Sequence, residues 1–397
     1  MAKFNKGGLV GGFDQLRAPD APTIGAATAG NQQVSVAFTA ASNAGSGTVS
    51  SFAVRGVAGG ASVSNTGTSS PIVVSSLTNG TEVTFSVVAT SEFGVSPYSG
   101  TVTATPVFTR ALFGTGIDAA TYSTVIEQIE INTSANSTDF GDLTVGRYFG
   151  AALGSSTRGV FGGGTTSGGN SDVMDYVTIA SAGNASDFGN LSVARQGAAG
   201  LSSSTRGIFA GGYDSGKSNV IDYITIASTG NATDFGNLVD GRLAPGALSS
   251  TTKGVIGGGD GSSGETNDID IITIASTGNA TDFGDLTAAR DVLAGAASST
   301  RGVFGGGSNN TSGNRNVMDY ITIASAGNAI DFGDLSVARH RLAGASSSTL
   351  AVFAGGVSSN VIDKITIAST GNASDFGDLL ANKQYVAGCS GSHGGIA

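Results

Sequence analysis

The residues of this 397-residue chain that could do chemistry recur about every 48 residues. One recurring position is acidic: Glu127, Asp175, Asp222, Asp270, Asp319 and Asp363. Two others are basic: Arg110, Arg158, Arg206, Lys253 and Arg301, and then Arg147, Arg195, Arg242, Arg290, Arg339 and Lys383. A ring of carboxylates could bind a hard cation. Pairing with a repeat arginine is favoured here, so we expect buried or half-buried ion pairs that fix the register of the repeats, and no metal.

A second recurring motif is the triplet Asp-Phe-Gly, which begins at Asp139, Asp187, Asp234, Asp282, Asp331 and Asp375. Protein kinases use such a triplet to bind metal, but they carry it once, beside a glycine-rich loop, a strand lysine and a catalytic aspartate. Six copies instead predict a structural role, in which the phenylalanine packs and the glycine turns the outer strand of each repeat.

Catalytic chemistry needs a nucleophile, an acid or base, or a metal site. The chain has only two histidines, His340 and His393, with no Gly-x-Ser-x-Gly elbow, no phosphate loop and no Cys/His cluster. Paired carboxylates for glycoside hydrolysis stay open as an alternative, because the repeats supply many aspartates. We expect a protein that is not an enzyme and has no cofactor.

The sequence Asn-Ala-Ser or Asn-Ala-Thr recurs at Asn184, Asn231, Asn279 and Asn372. It satisfies the glycosylation sequon. Because each copy falls at the same turn of the repeat, we interpret the asparagine as a turn residue.

Composition narrows the class of partner. The formal net charge is −10, and only 12% of residues are charged. Nucleic-acid binding needs clustered lysine and arginine, so no nucleic-acid partner is expected. The single cysteine, Cys389, predicts no internal disulfide, and the first residues lack the apolar run of a secretion signal. No stretch approaches 18 consecutive apolar residues, so no membrane span is expected.

A repeated unit with four β-like segments must position these motifs. In the third unit they are an apolar strand at Thr205–Gly212, a β-branched strand at Val220–Ala227, an outer strand at Thr233–Leu238 and a next inner strand starting at Leu243. A period of about 40 to 50 residues with four strands is typical of a β-propeller. We therefore predict an all-β fold in which residues 107–397 form a six-bladed β-propeller.

The repeat resembles the kelch repeat in the order of its parts. An arginine precedes the inner strand, Gly-Gly follows the second strand, the third strand is β-branched, and the fourth strand carries one aromatic residue. Phenylalanine replaces the usual outer-strand tryptophan, and the chain has no tryptophan. The resemblance implies an architecture and no particular activity.

The ends of the repeat region complement each other. The first unit begins at Thr109 with what is the second strand elsewhere, and the last unit ends with an extra segment, Gln384–Ser390. We predict that this C-terminal strand becomes the innermost strand of the first blade and closes the ring, which leaves few exposed strand edges.

Two further regions precede the repeats. Residues 1–19 form a glycine-rich tail, either a disordered terminus or a docking peptide that orders on a partner. Its apolar residues are Phe4, Leu9, Val10, Phe13 and Leu16. Residues 20–106 have the short alternating runs of an antiparallel sandwich. They resemble a bacterial fibronectin type III domain, most closely over Leu77–Phe85, Ser91–Pro97 and Thr101–Pro106. Phe38 replaces that family's strand tryptophan, and Val83 replaces its tyrosine.

The repeats differ most in the loop between their second and third strands. Constant strands with variable loops on one face are typical of a binding module, although drift gives the same pattern. The candidate contacts are Asp118, Tyr122, Tyr213, Asp214, Lys217, Glu265, Asn310 and Arg315. Tyrosine, asparagine and aspartate suit glycan or protein surfaces.

The whole chain resembles accessory virion proteins of tailed bacteriophages, and the phrase Asp222–Gly236 resembles repeats of marine-phage virion proteins. The resemblance implies a non-enzymatic fibre, knob or decoration protein, assembled in the host cytoplasm, whose N-terminal region docks on capsid or tail proteins. Its propeller would then attach to a host or environmental glycan or protein. A bacterial kelch-type adhesion protein and a glycan-active propeller enzyme are the alternatives, and homo-oligomer formation is left open.

Overall fold

The computed structural model describes residues 16–118, 121–309 and 313–395. The chain divides into two compact units, Met1–Val107 and Phe108–Ala397. All regular secondary structure in the described residues is β-strand, and every strand pairing is antiparallel. The all-β class predicted from the sequence is therefore confirmed.

The first unit contains two antiparallel sheets around one core. Its strands are β1 (Thr23–Gly30), β2 (Gln33–Thr39), β3 (Val49–Ala58), β4 (Ala61–Gly67), β5 (Ile72–Ser75), β6 (Val83–Ser91), β7 (Gly94–Val95) and β8 (Val102–Ala104). One sheet has the order β1-β2-β5, and the other has β4-β3-β6-β7 with β8 paired to β6. Alternate side chains of both sheets, such as Val34 and Val36 from one and Val54 and Phe85 from the other, are buried together.

The described residues of the second unit form six four-stranded sheets and four short hairpins. The first three sheets and their hairpins use β9 (Arg110–Gly114), β10 (Ile117–Asp118), β11 (Thr121–Tyr122), β12 (Val125–Glu130), β13 (Thr138–Asp142), β14 (Ala151–Gly154), β15 (Arg158–Gly162), β16 (Thr165–Thr166), β17 (Gly169–Asn170), β18 (Val173–Thr178), β19 (Ser186–Asn190), β20 (Ala199–Ser202), β21 (Arg206–Ala210), β22 (Val220–Thr225) and β23 (Thr233–Asn237).

The remaining sheets and hairpins repeat this arrangement. They use β24 (Gly246–Ser249), β25 (Lys253–Gly257), β26 (Asp260–Gly261), β27 (Gly264–Glu265), β28 (Asp268–Thr273), β29 (Thr281–Asp285), β30 (Ala294–Ala297), β31 (Arg301–Gly305), β32 (Ser308–Asn309), β33 (Gly313–Asn314), β34 (Val317–Thr322), β35 (Ile330–Asp334), β36 (Ala343–Ser346), β37 (Leu350–Ala354), β38 (Val361–Thr366) and β39 (Ser374–Asp378). The last strand, β40 (Ala387–Ser390), belongs to the first sheet.

Each sheet has an inner, a second, a third and an outer strand in that spatial order, as in β20-β21-β22-β23. In five sheets the order along the chain is the same. The first sheet is β40-β9-β12-β13, so its inner strand comes from the C-terminus, with Ala387 opposite Gly114 and Ser390 opposite Ala111. The predicted pairing of the C-terminal strand is confirmed.

The inner strands are shorter than the sequence predicts. The segment expected to start a strand at Leu243 begins its strand at Gly246, and the C-terminal strand begins at Ala387 rather than at Gln384. In both places the residue two positions before the strand is not extended: Ala244 and Tyr385 have φ of 57° and 58°. A left-handed residue cannot continue a strand.

The inner strands contact one another in cyclic order. β14 contacts β20 and β40, β24 contacts β20 and β30, and β36 contacts β30 and β40. Small residues permit this approach, since a Cβ atom on Gly200 would collide with the Ala152 carbonyl oxygen. The six inner strands surround a cavity of about 50 Å³.

The Asp-Phe-Gly triplet forms a β-bulge in each outer strand. In the third sheet, Ile221 pairs with Gly236 and Asp222 pairs with Asp234, so Phe235 is the extra residue, and its side chain is buried. A Cβ atom on Gly236 would lie 2.5 Å from the carbonyl oxygen of Gly278 in the next sheet's turn. The predicted structural role of the triplet is therefore confirmed.

Candidate binding surface

Six junctions connect neighbouring sheets, and each contains a buried ion pair. At each junction a linking segment runs from an outer strand to the next inner strand, and its basic residue pairs with the acid on the third strand of the sheet it enters. Arg195 Nη1 lies 2.9 Å from Asp222 Oδ2, with both side chains fully buried. The first five junctions pair Arg147 with Asp175, Arg195 with Asp222, Arg242 with Asp270, Arg290 with Asp319 and Arg339 with Asp363. The predicted ion pairs are present.

The carboxylates also accept hydrogen bonds from the linking segments. The Ser192 hydroxyl donates to Asp222 Oδ1 at 2.6 Å, and the Thr287 hydroxyl donates to Asp319 Oδ1 at 2.6 Å. Burial lowers the pKa of Arg147, Arg290 and Arg339, whereas the facing aspartate raises it in each case. Each buried charge is therefore stabilised by the opposite charge of its partner, which replaces the interaction that water makes with an exposed charge.

The sixth junction joins the last linking segment to the first sheet. It pairs a lysine with a glutamate, whereas the other five junctions pair an arginine with an aspartate. Lys383 Nζ lies 2.7 Å from Glu127 Oε1, and both side chains are buried. Glu127 Oε2 accepts hydrogen bonds from the Leu380 amide at 2.8 Å and the Ser137 hydroxyl at 2.5 Å. A shorter cation thus faces a longer acid where the other junctions have the longer cation and the shorter acid.

Asparagine side chains connect the same neighbours at the outer strands. Asn231 Oδ1 accepts a hydrogen bond from the Asn190 amide of the preceding sheet at 3.1 Å, and Asn279 accepts one from Asn237 at 3.0 Å. Asn136 does so for Asp378, which connects the last sheet to the first. The sequon asparagines are thus turn residues, as expected, and they also bond to a second sheet.

A ring of left-handed residues lies where the linking segments approach the inner strands. We name these residues, each two positions after a junction cation, the collar: Phe149, Gly197, Ala244, Val292, Arg341 and Tyr385, with φ between 45° and 63°. The Gly197 amide donates to the Phe149 carbonyl, and the Ala244, Val292, Arg341 and Tyr385 amides each donate to the preceding collar carbonyl at 2.7 to 3.0 Å. Between Tyr385 and Phe149 the series stops, and the Thr115 hydroxyl donates to the Tyr385 carbonyl at 3.2 Å.

The variable loops pair with the linking segments beside the collar. Isolated bridges join Ile117 to Gln384, Thr165 to Tyr148, Tyr213 to Gln196, Asp260 to Leu243 and Ser308 to Asp291. The sixth loop is the short turn Val357–Ser359, and its Val357 amide donates to the His340 carbonyl at 3.1 Å. Loops and linking segments therefore form one surface, which we name the hairpin end.

Aromatic side chains gather on this surface where the collar hydrogen bonds stop. We name Tyr122, Tyr148, Phe149, Arg341 and Tyr385 the seam cluster. The ring centroids of Tyr122 and Tyr148 are 5.2 Å apart, those of Tyr148 and Tyr385 are 5.3 Å apart, and those of Phe149 and Tyr385 are 4.4 Å apart. The Arg341 guanidinium carbon lies 4.2 Å from the Tyr385 ring centroid. Phe149, Arg341 and Tyr385 help to line an open depression of about 80 Å³.

Arg341 supplies the positive charge of the seam cluster. Its Nη1 donates to Gln384 Oε1 at 2.9 Å, and its buried Nε has no hydrogen-bond partner among the described residues. Burial and the Arg341 charge lower the pKa of the adjacent His340 to about 4, so that imidazole is neutral at physiological pH. Burial raises the pKa of Tyr385, which keeps its hydroxyl protonated.

Acidic groups lie along other parts of the hairpin end. Lys217 Nζ pairs with Asp260 Oδ1 at 2.7 Å, and Asp291 Oδ1 accepts the Ser308 hydroxyl at 2.9 Å. Burial raises the pKa of Asp291, and the charges of Glu265 and Asp260 raise it further. The hairpin end thus has an aromatic, cationic region and an acidic region.

The predicted contact residues are spread over this surface and do not form one site. Tyr122 belongs to the seam cluster, and Asp118 pairs with Thr121 in the first hairpin. Tyr213 is exposed. Asp214 accepts from the Ser215 and Gly216 amides of its own turn, and the Ser215 amide in particular lowers its pKa. Lys217 pairs with Asp260. Glu265 lies in the fourth loop and Arg315 in the fifth, and Asn310 lies outside the described residues.

The apolar tail residues Phe4, Leu9, Val10 and Phe13 also lie outside the described residues. Leu16 is described and is 68% exposed. The tail's expected docking role therefore stays a prediction.

The linking segments were not predicted as surface residues. The two residues after each junction cation form a different pair in every unit, as in Tyr148-Phe149, Gln196-Gly197 and His340-Arg341, although the cation before them is arginine in five of the six units. That variation could have indicated that these residues lie on the surface. It was not recognised because an apolar pair such as Leu243-Ala244 also fits the start of a strand.

The opposite end of the inner strands holds the C-terminal residues. His393 Nε2 lies 3.1 Å from both the Ser202 hydroxyl and the Gly154 carbonyl oxygen, and the Gly394 amide donates to the Ala297 carbonyl at 3.0 Å. Cys389 is buried nearby, and burial raises the pKa of its thiol to about 12. A thiol with that pKa stays protonated and unreactive.

Within residues 16–118, 121–309 and 313–395, no three His, Cys, Asp or Glu side chains converge so that they could hold a metal ion. The same part of the chain has no helix that is long and apolar enough to cross a membrane. No protein-family model matches the chain, and comparison with curated proteins finds no match either.

Proposed function

We propose that residues 108–395 form a six-bladed, kelch-like β-propeller closed by β40, and that the preceding unit is a fibronectin type III-like sandwich. Three observations support the propeller: the sheets have the same strand order, their inner strands contact in cyclic order, and those strands surround a cavity. The two sheets around one core in the first unit support the sandwich.

The propeller works as a binding module that presents its hairpin end to another surface. The observation that carries this proposal is the position of the sequence variation. Hairpins and linking segments that differ from unit to unit gather at one end, whereas buried ion pairs and outer-strand bulges repeat throughout. A framework held constant around variable surface residues favours recognition over catalysis.

The whole chain then acts as a structural protein of a bacteriophage virion, a fibre, knob or decoration protein. Its N-terminal region docks on other virion proteins, and the hairpin end attaches to a host or environmental surface. The resemblance to virion proteins supports this role, and so does the exposed apolar Leu16 at the end of the tail.

A reconstitution experiment tests this proposal. Virions that lack this protein are mixed with the full-length chain or with a chain lacking residues 1–19, and then sedimented. We expect only the full-length chain to cosediment. The virions are then tested for attachment to host cells with wild-type protein and with Tyr213→Ser. Failure of both chains to bind virions, together with direct binding of both to cells, would replace the virion role with that of a cellular adhesion protein.

A further inference from the structure

The arginine of the seam cluster has different partners from the junction arginines and from Arg158, Arg206 and Arg301. The junction arginines pair with buried aspartates, and Arg158, Arg206 and Arg301 donate to backbone carbonyls of neighbouring sheets. Arg341 donates to Gln384 Oε1 and stacks on the Tyr385 ring, and it forms no ion pair with a described residue. A half-buried guanidinium without a carboxylate partner is suited to an anionic group from outside the chain.

The neighbours of Arg341 restrict the shape of such a ligand. The guanidinium lies over the Tyr385 ring. The rings of Phe149 and Tyr148 both contact the Tyr385 ring, and Tyr122 contacts Tyr148, at centroid distances of 4.4 to 5.3 Å. Rings of this kind offer flat apolar area, and tyrosine hydroxyls and the Gln384 amide add hydrogen-bonding groups. A compact ligand with an apolar face, several hydroxyls and one negative charge satisfies all of these groups.

The sixth loop leaves one side of the cluster accessible. The first and second units carry the hairpins Ile117–Tyr122 and Thr165–Asn170, but the sixth has only the turn Val357–Ser359. Arg341 follows that unit's junction cation and therefore lies on the side with the short turn. Arg341 and Tyr385 also line the depression, together with collar residues of the other units.

The remaining charges exclude ligands with many negative groups. Asp260, Glu265 and Asp291 lie on the same end of the unit, and the chain carries a net charge of −10. A phosphate-rich polymer would meet one cation and several carboxylates, so its binding is disfavoured. A ligand that brings a single carboxylate to this surface needs only one cation at the point of contact.

We propose that the seam cluster binds a hexuronate unit of an acidic polysaccharide. Arg341 holds the sugar carboxylate, the rings of Tyr148 and Tyr385 contact the apolar face of the sugar, and Gln384 fixes the arginine. This inference rests on the proposed binding role of the hairpin end and names its ligand.

The test uses the full-length protein and two galactose tetrasaccharides, one with a single galacturonate unit and one that is neutral. Binding is measured by titration calorimetry and by ligand-observed NMR at low salt. We expect the galacturonate to bind at least about tenfold more tightly, since one charge-assisted contact distinguishes the ligands. Arg341→Gln removes this preference, and Tyr148→Ala weakens binding of both ligands.

The matched control is Arg301→Gln. Arg301 also stacks on a tyrosine, 4.5 Å from the Tyr320 ring centroid, but it donates to the carbonyls of Ile367 and Ala368 away from the depression. We expect its galacturonate affinity to equal that of the wild type, even if its melting temperature falls. Equal loss in Arg301→Gln and Arg341→Gln would assign the effect to folding and overturn the site.

Other outcomes separate this inference from the proposed function. Equal binding of the two tetrasaccharides, or an unchanged preference in Arg341→Gln, overturns the hexuronate assignment. If the wild type binds neither sugar but its virions still attach to cells, the ligand is wrong and the binding role stands. If the wild type also fails to support attachment, both are wrong.

Discussion

The five internal junctions and the sixth junction perform the same task with different residues. Each internal junction continues along the chain and pairs an arginine with an aspartate. The sixth brings together residues far apart in sequence, pairs Lys383 with Glu127, and takes its inner strand from the C-terminus. At its edge the collar hydrogen bonds stop, and four aromatic residues gather.

The comparison identifies the position at which residues of this repeat depart most from the common pattern. At the internal junctions, neighbouring collar residues satisfy one another by backbone hydrogen bonds. On either side of the point where that series stops, the collar carries the aromatic residues Phe149 and Tyr385 in left-handed conformations that bulky residues seldom adopt, a conformation that Val292 also has at an internal junction. Departures from a local rule are expected at functional sites.

Removal of a junction cation gives the largest expected effect of a single substitution. Arg195→Met and Lys383→Met each leave a buried carboxylate unpaired, so each should reduce the free energy of unfolding by about 3 to 5 kcal/mol. Thermal and urea unfolding measure this loss. In the control, Lys253→Met, the half-buried amine loses only its contact with the Thr273 hydroxyl, so a change below about 1 kcal/mol is expected. Equal losses in all three variants would contradict the account.

A double-mutant cycle tests whether the side-chain lengths at the sixth junction are matched. Lys383→Arg should crowd the pair, and Glu127→Asp should separate it, so each should cost about 1 to 2 kcal/mol. The double variant restores the pair found at the internal junctions and should recover at least about 1 kcal/mol of that loss. Additive costs measured by urea unfolding would mean that the two lengths are independent.

The asparagine bonds should be equivalent at both kinds of junction. Asn231→Ala and Asn136→Ala each remove one acceptor for a backbone amide of another sheet, so each should cost about 1 kcal/mol. Melting temperatures of the two variants compare the junctions directly. Asn219→Ala, at an exposed position, is the control, and its melting temperature should match that of the wild type.

The smallest expected effect is a pH dependence beside the sixth junction. The pKa of His340 is about 4 in the folded chain, against 6.5 for an unperturbed histidine side chain. The unfolded chain therefore binds a proton first as pH falls from 6.5 to 4, and stability decreases over that range, by about 0.5 to 1 kcal/mol after allowance for partial exposure. His340→Gln should flatten the stability profile below pH 6.5 relative to the wild type. An identical slope in the variant would show that His340 does not titrate in this way.

The sequence predicted what the repeat itself encodes. Period and β-branched runs predicted the sheets, counting strands predicted that β40 would complete the first sheet, and recurring charges predicted the ion pairs. The collar was missed because positive φ is usually signalled by glycine, which occurs there only at Gly197. Tyr122 was predicted as a contact from its loop, but its neighbours Tyr148 and Tyr385 come from other parts of the chain, and no local pattern brings them together.

The C-terminal strand β40 completes the first sheet and thereby closes the sixth junction. The most direct measurement compares the melting temperatures of the full-length chain, a chain ending at residue 390 and a chain ending at residue 383. The first truncation keeps β40 and removes the contacts of His393, so we predict a small decrease. The second removes β40, and we predict aggregation or loss of the cooperative transition. A chain ending at residue 383 that stays soluble and melts at the full-length temperature would contradict the account.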